Sequence, residues 1–234
     1  QRQMCIRDRL WGFRIIKCGV IVFPGSNCDK DCQRAFEIFP EFDVKMIWHK
    51  ETTLPKVDLV VLPGGFSYGD YLRCGAIAAK SPIMKAVKNF YEIGGFIIGI
   101  CNGFQILTET KILPGALIPN TNQKFICKDQ DLIVANNKTF FTSNFEHNKT
   151  ISIPIAHHDG QYFLNGPEIE ELEQNEGIVL KYRDNPNGSI KDIAGVCSKN
   201  KRVIGMMPHP ERAVDKELGS VSGLRMFESV ISNF

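Results

Sequence analysis

The chain has 234 residues, 43% hydrophobic and 23% charged, which is enough for a sizeable α/β core and ordinary for a globular protein. Its net charge of +2 is too small to argue for a nucleic-acid partner or an anionic membrane surface. Eight cysteines in a chain this long, with no secretory apolar run ahead of them, read as the small buried hydrophobes of a reduced, cytoplasmic protein rather than as a disulfide framework.

Met4-Cys5-Ile6-Arg7-Asp8-Arg9 resembles a translated sequencing adapter, so residues 1–13 are expected to be foreign to a single domain spanning 14–234. Cys18–Phe23 reads as a buried strand stopped by Pro24-Gly25, with Ser26-Asn27 as the cap of a helix over Asp29–Phe39. Strands are expected at Val44–Trp48 and Asp58–Leu62, the second broken by Pro63-Gly64-Gly65. A helix over Ile77–Tyr91, a strand over Phe96–Ile100 and a helix over Gly103–Glu109 follow. This alternation predicts an α/β fold, a mostly parallel central sheet with helices on both faces.

The second half changes character. Phe125–Cys127, Leu132–Val134, Thr139–Thr142 and Ile151–Ile155 are polar and β-like, so an antiparallel or mixed elaboration is expected at one end of the sheet. Gln161–Val179 is poorly patterned, and Asn185-Pro186-Asn187-Gly188 marks a turn.

Gly99-Ile100-Cys101-Asn102-Gly103 has the spacing of a nucleophile elbow, with cysteine where hydrolases place serine. A sharp strand-to-helix turn strains its central residue, and side chains two positions either side would collide. It also sets the sulfur at a helix N-terminus, where N–H groups and the macrodipole favour thiolate. The plainer reading is a buried cysteine at a tight turn, and the strand and helix around it favour the nucleophile. A base is available in His209, whose neighbours Pro208 and Pro210 stiffen its backbone. Glu211 can accept a hydrogen bond from one ring nitrogen while the other faces sulfur. Gly64 and Gly65, just past a strand, can bring main-chain N–H groups to an oxyanion, with Asn102 as second donor. Taken alone, that pair of glycines marks only a turn.

Together, Cys101, His209, Glu211 and the Gly64-Gly65 turn resemble the triad (class I) glutamine amidotransferase family from Lys17 onward, and Gly99 to Gln105 carries its Gly-x-Cys-x-Gly-x-Gln motif in full. The resemblance implies Cys101 as nucleophile, His209 as base, Glu211 as its orienter, and Gly64 and Gln105 as contacts to bound glutamine. Phe23–Asp29, Pro63–Arg73, Cys101–Leu107 and Gly205–Arg212 are similar to the branch formed by glutaminase subunits of phosphoribosylformylglycinamidine synthases. That branch implies ammonia delivery to a large synthase subunit, with a small accessory subunit beside it. ATP and Mg are then expected on the synthase subunit, and no metal or organic cofactor on this chain. Ile155–Tyr162 departs from the family's usual Ala-His-Gly-Glu-Gly, so His157, His158 and Asp159 carry no assigned step.

Phe66, Ser67, Tyr68, Asp70 and Arg73 form a polar, glycine-containing loop expected to face the partner. Cys28 and Cys32, four apart, lack the two further ligands a zinc site needs. His49 reads as a capped loop histidine. The chain has no Gly-x-x-x-x-Gly-Lys-Ser/Thr phosphate loop, so ammonia is expected to be consumed elsewhere. Two alternatives stay open: a glutaminase serving a different synthase, and a protease- or chaperone-like protein built on the same elbow.

Overall fold

A computed structural model describes residues 14–234; the adapter-like stretch 1–13 lies outside the described residues. The first apolar run forms β1 (Ile16–Val22), followed by α1 (Asp29–Glu37), β2 (Phe42–Trp48) and β3 (Leu59–Leu62). The expected helix over 77–91 is split. Ala78–Lys80 makes one 3-10 turn, Ser81 is extended because the ring of Pro82 excludes the helical region for the residue before it, and α2 begins at Ile83 (Ile83–Glu92). β4 (Phe96–Ile100) and α3 (Asn102–Glu109) follow with one residue between them.

Beyond the short β5 (Ala116–Ile118), the segments around Phe125–Cys127 and Leu132–Val134 join as one strand, β6 (Ile126–Val134). It pairs residue by residue with the antiparallel β7 (Thr150–His157), which is why its charged middle, Lys128-Asp129, survives inside a strand. Thr139–Thr142 is not a strand. The Thr139 hydroxyl accepts from the Phe141 N–H and sits 2.6 Å from the Thr142 hydroxyl, so side chains take the backbone into a turn. The unpatterned stretch holds β8 (Gln161–Phe163) and α4 (Gly166–Gln174), the latter capped by Asn165, whose side-chain Oδ1 accepts from the Glu168 N–H at 3.2 Å. β9 (Ile178–Tyr182), β10 (Ile193–Cys197), β11 (Val203–Met206) and α5 (Leu224–Asn233) complete the chain.

The main sheet runs β2-β1-β3-β4-β11-β10-β9-β6-β7. From β2 to β11 the neighbours are parallel; from β11 to β7 they are antiparallel. The expected elaboration therefore extends the same sheet. Strand order reverses between β1 and β3, so right-handed crossovers place α1 and α2 on opposite faces. α5 packs on the α1 side, where Phe36 and Phe227 meet edge to face. The loops after β1, β3, β4 and β11 all emerge at the C-terminal edge beside this reversal, where open α/β sheets form their crevice.

Candidate active site

Cys101 occupies the single residue between β4 and α3, at φ 49° and ψ −103°, a conformation that a non-glycine residue adopts only when its surroundings impose it. The surroundings are plain. A Cβ on Gly103 would lie 1.9 Å from the Leu62 carbonyl oxygen, and one on Gly99 would lie 2.4 Å from Leu107 Cδ1. The helix thus starts hard against the end of β3, and the turn has room only for glycine on either flank. Asn102 opens the helix, so its N–H has no intrahelical acceptor and is free for a developing oxyanion.

β11 delivers His209. After Met206 the backbone N–H of His209 donates to the Pro154 carbonyl at 2.9 Å, and Pro210–Arg212 closes into a 3-10 turn. This brings His209 Nδ1 to 2.7 Å from Glu211 Oε1 with both side chains buried. His209 Nε2 has no hydrogen-bond partner among the described residues. Burial works against the imidazolium, but Glu211, and after it the Cys101 and Cys28 sulfurs, outweigh burial and hold the His209 pKa well above its ordinary value. The Cys101 thiol itself leans on the Ala156 carbonyl at 3.6 Å.

The loop after β3 supplies the third part. Gly64 backs onto both His209 and Cys101, since a Cβ there would stand 2.7 Å from His209 Cε1 and 3.4 Å from Cys101 Cβ. Gly65 sits at φ 117°, its α-carbon so close to Asn27 that a Cβ would lie 2.6 Å from the Asn27 nitrogen. Ser26, expected to cap α1, does something else. Its hydroxyl donates to the Gly64 carbonyl at 3.0 Å, and Cys28 takes the cap position with no side-chain bond. The Phe66 N–H donates to Gly25 and the Tyr68 N–H to Pro24, so the two loops are stitched together.

Gln105 is buried, with Oε1 accepting from Asn102 Nδ2 at 2.9 Å and Nε2 donating to the Asp159 carbonyl at 2.7 Å. Asp159, given no role from sequence, thereby joins the site's rim, and its carboxylate accepts from Cys74 at 3.4 Å. The loop expected to face a partner is only partly outward. Ser67 is buried, and the Tyr68 hydroxyl turns inward to His49 Nδ1 (2.6 Å) and Ser81 Oγ (3.0 Å). Asp70 accepts from Asn102 Nδ2 at 3.4 Å. Phe66 and Arg73 are exposed, as are Tyr71 and Leu72, which the sequence reading passed over.

This assembly of elbow cysteine, buried His–Glu pair and glycine turn can perform acyl transfer on an amide. The model of the CobB/CobQ-like glutamine amidotransferase domain matches residues 16–229. The chain belongs to the glutamine amidotransferase family. As an amidotransferase it is 55% identical over 216 residues to the phosphoribosylformylglycinamidine synthase subunit PurQ of Ruegeria sp. (strain TM1040), a match covering 92% of this chain and 97% of the relative. The PurQ subunit of Jannaschia sp. (strain CCS1) is 52% identical over the same shares. Among solved structures, PurLQS from Thermotoga maritima matches this amidotransferase with a TM-score of 0.86 at 45% identity, covering 93% of this chain and 98% of that one.

Proposed function

We propose that this amidotransferase is the glutaminase subunit of a phosphoribosylformylglycinamidine synthase. It hydrolyses glutamine and passes ammonia to a large synthase subunit, which binds ATP and Mg and converts formylglycinamide ribonucleotide to its amidine. A small accessory subunit completes the complex, and residues 14–234 of this chain act as one domain in the cytoplasm. The observation that carries the reading is the buried His209–Glu211 pair set beside a left-handed Cys101, in a chain 55% identical to a PurQ subunit.

The chemistry follows from the placement of each group. The Cys101 thiolate attacks the side-chain carbonyl carbon of glutamine, and the carbonyl electrons move to oxygen. The N–H groups of Gly65 and Asn102 hold that oxyanion, where a single donor is typically worth about 3 kcal/mol. His209, kept protonated by Glu211, gives its proton to the departing nitrogen, which leaves as ammonia. The neutral ring then takes a proton from water, whose oxygen attacks the thioester and releases glutamate and the thiol. No metal or organic cofactor on this chain enters these steps. Gln105 contacts the glutamine from the α3 side once its bond to Asp159 opens.

The test is glutamate release by the purified chain, together with labelling by a glutamine-analogue electrophile. Labelling at Cys101 and co-purification of a large synthase subunit support the reading. Absence of labelling, or a partner acting on a different acceptor, would point to the protease-like or other-synthase alternatives.

A further inference from the structure

Beside the reacting groups lie a buried thiol and a buried carboxylate oxygen that the acyl-transfer steps do not use. Cys28 is 3% exposed and caps α1 directly behind the His–Glu pair. Glu211 gives Oε1 to His209, while Oε2 is buried with no hydrogen-bond partner among the described residues. One donor atom each from Cys28, His209 and Glu211 lies within 4.8 Å of the other two. An unpaired buried lone pair is costly and calls for a partner. Here three different donors converge on the same small volume.

The surroundings already hold positive charge. Arg212 Nη2 lies 3.1 Å from Cys28 Sγ and 3.1 Å from Asp31 Oδ2, and its side chain is 37% exposed. A cleft lined by Asp31, Arg34, Pro154, Glu211, Arg212 and Asp215 opens behind it, and movement of Arg212 would open a path from there to the Glu211 carboxylate, which is otherwise wholly buried. The guanidinium can swing into that cleft and stay paired with Asp31.

We propose that Cys28, His209 and Glu211 form a binding site for a soft divalent cation of the zinc class, and that its occupation switches the glutaminase off. Thiolate, imidazole and carboxylate are the donor set that such ions prefer. Around tetrahedral zinc these donors stand about 3.5 Å apart, a spacing that side-chain rotation supplies from donors already within 4.8 Å of one another. Each donor gives one lone pair to the ion, and the Cys28 thiol proton and a His209 ring proton leave to solvent, so binding strengthens as pH rises. A His209 bound to the ion cannot carry protons between Cys101 and the leaving group. This last consequence rests on the glutaminase reading; the binding site does not.

The full chain is titrated with cobalt(II), whose tetrahedral thiolate complexes give a near-ultraviolet charge-transfer band, and zinc is then added in competition. The expected result is one saturable cobalt per chain, displaced by zinc. Cys28→Ser and Cys28→Ala abolish the band and weaken zinc binding by roughly 100-fold or more, since even the outer partners of metal ligands are worth 10–100-fold. Cys101→Ala keeps the band. Zinc inhibits the wild-type glutaminase, and a chelator restores it. Absence of the band in wild type, its persistence in folded Cys28 variants, or its loss in Cys101→Ala would overturn the site. A band without inhibition would overturn the switch. A metal-free wild-type chain that never releases glutamate would refute the glutaminase reading while leaving the site standing.

Discussion

Gly64 backs directly onto the His209 ring: a methyl group there would stand 2.7 Å from Cε1 and 3.3 Å from Nδ1. Its own backbone makes no demand for glycine, so Gly64→Ala folds, and the ring must move instead. Displacing a proton-transfer group by about 1 Å typically costs around 100-fold in rate. Gly64→Ala is therefore expected to lower kcat by about that factor with a near wild-type unfolding midpoint. Wild-type turnover in a folded Gly64→Ala would mean that the ring is not held where the mechanism needs it.

Cys101→Ala removes the nucleophile and leaves the elbow's geometry intact, because alanine meets the same left-handed strain at φ 49°. Glutamate release should vanish while the thermal midpoint barely changes. Residual turnover near wild type would displace Cys101 from the reaction.

Glu211→Gln keeps the shape of the buried pair and removes its charge. Burial alone pushes the His209 pKa down, and Glu211 is the foremost group pushing it up. Without the carboxylate the imidazolium loses its proton at lower pH, so the alkaline limb of the rate profile shifts towards acid. The rate at its optimum is expected to fall by 100-fold or more, by analogy with the roughly 10⁴-fold cost of neutralising the orienting carboxylate in a serine triad. An unmoved alkaline limb in Glu211→Gln would contradict the pairing.

What could be read in the sequence was what leaves a local trace. The elbow declared itself because its spacing is local: a Cβ on Gly99 would stand 2.8 Å from the Gly103 carbonyl oxygen across the turn, although the tightest contact at Gly103 comes from Leu62 at the end of β3. His209 and Glu211 stand two apart and meet across one tight turn, so their pairing was visible too. Ser26 left no such trace. Its hydroxyl crosses 38 residues of sequence to the Gly64 carbonyl, and locally it looked like a helix cap. Tyr68 reads from the sequence as part of a loop facing the partner because the group that turns its hydroxyl inward, His49, comes from just past the end of β2. Cys28 was dismissed for want of further ligands, and those arrive from a turn more than 180 residues away along the chain. Long-range polar contacts have no period, so the alternation of apolar and polar residues carries no sign of them.

His157 supplies a pH dependence of stability. Burial lowers its pKa from 6.5 to about 4, assisted by the positive charge of His209 nearby. Above 6.5 the ring is neutral folded and unfolded alike. As pH falls below 6.5 the unfolded chain takes up a proton that the folded chain refuses, so stability is lost through the window from 6.5 down to about 4. The full loss from this one group is about 3 kcal/mol. His157→Gln, which retains a donor towards Asn120, should flatten that part of the profile. Parallel wild-type and variant slopes in urea unfolding across the window would exclude His157 as the source.

The last prediction concerns the loop after β3. Tyr68, Asp70 and Leu72 all have left-handed backbones, at φ 55°, 56° and 69°. Such strain persists only where surroundings over-determine it. Tyr68 is held from within by His49 and Ser81, but Tyr71 and Leu72 are 74% and 89% exposed. Two large apolar side chains presented to solvent on a strained loop fit a docking anchor better than a free surface. Asp70 in the same loop bonds the side chain of Asn102, whose backbone amide is the proposed second oxyanion donor, so a shift of the loop would reach the reacting carbonyl. Docking of the synthase subunit can then raise glutaminase activity only by binding one loop geometry better than the other. Tyr71→Ser combined with Leu72→Asp is expected to leave the basal rate unchanged. It should raise the concentration of large subunit needed for stimulation by about 30-fold, the equivalent of about 2 kcal/mol for an apolar anchor. Glutamate release is measured with the chain alone, then with the large subunit, ATP and formylglycinamide ribonucleotide. An unchanged half-maximal concentration in the double variant would place the docking surface elsewhere on the chain.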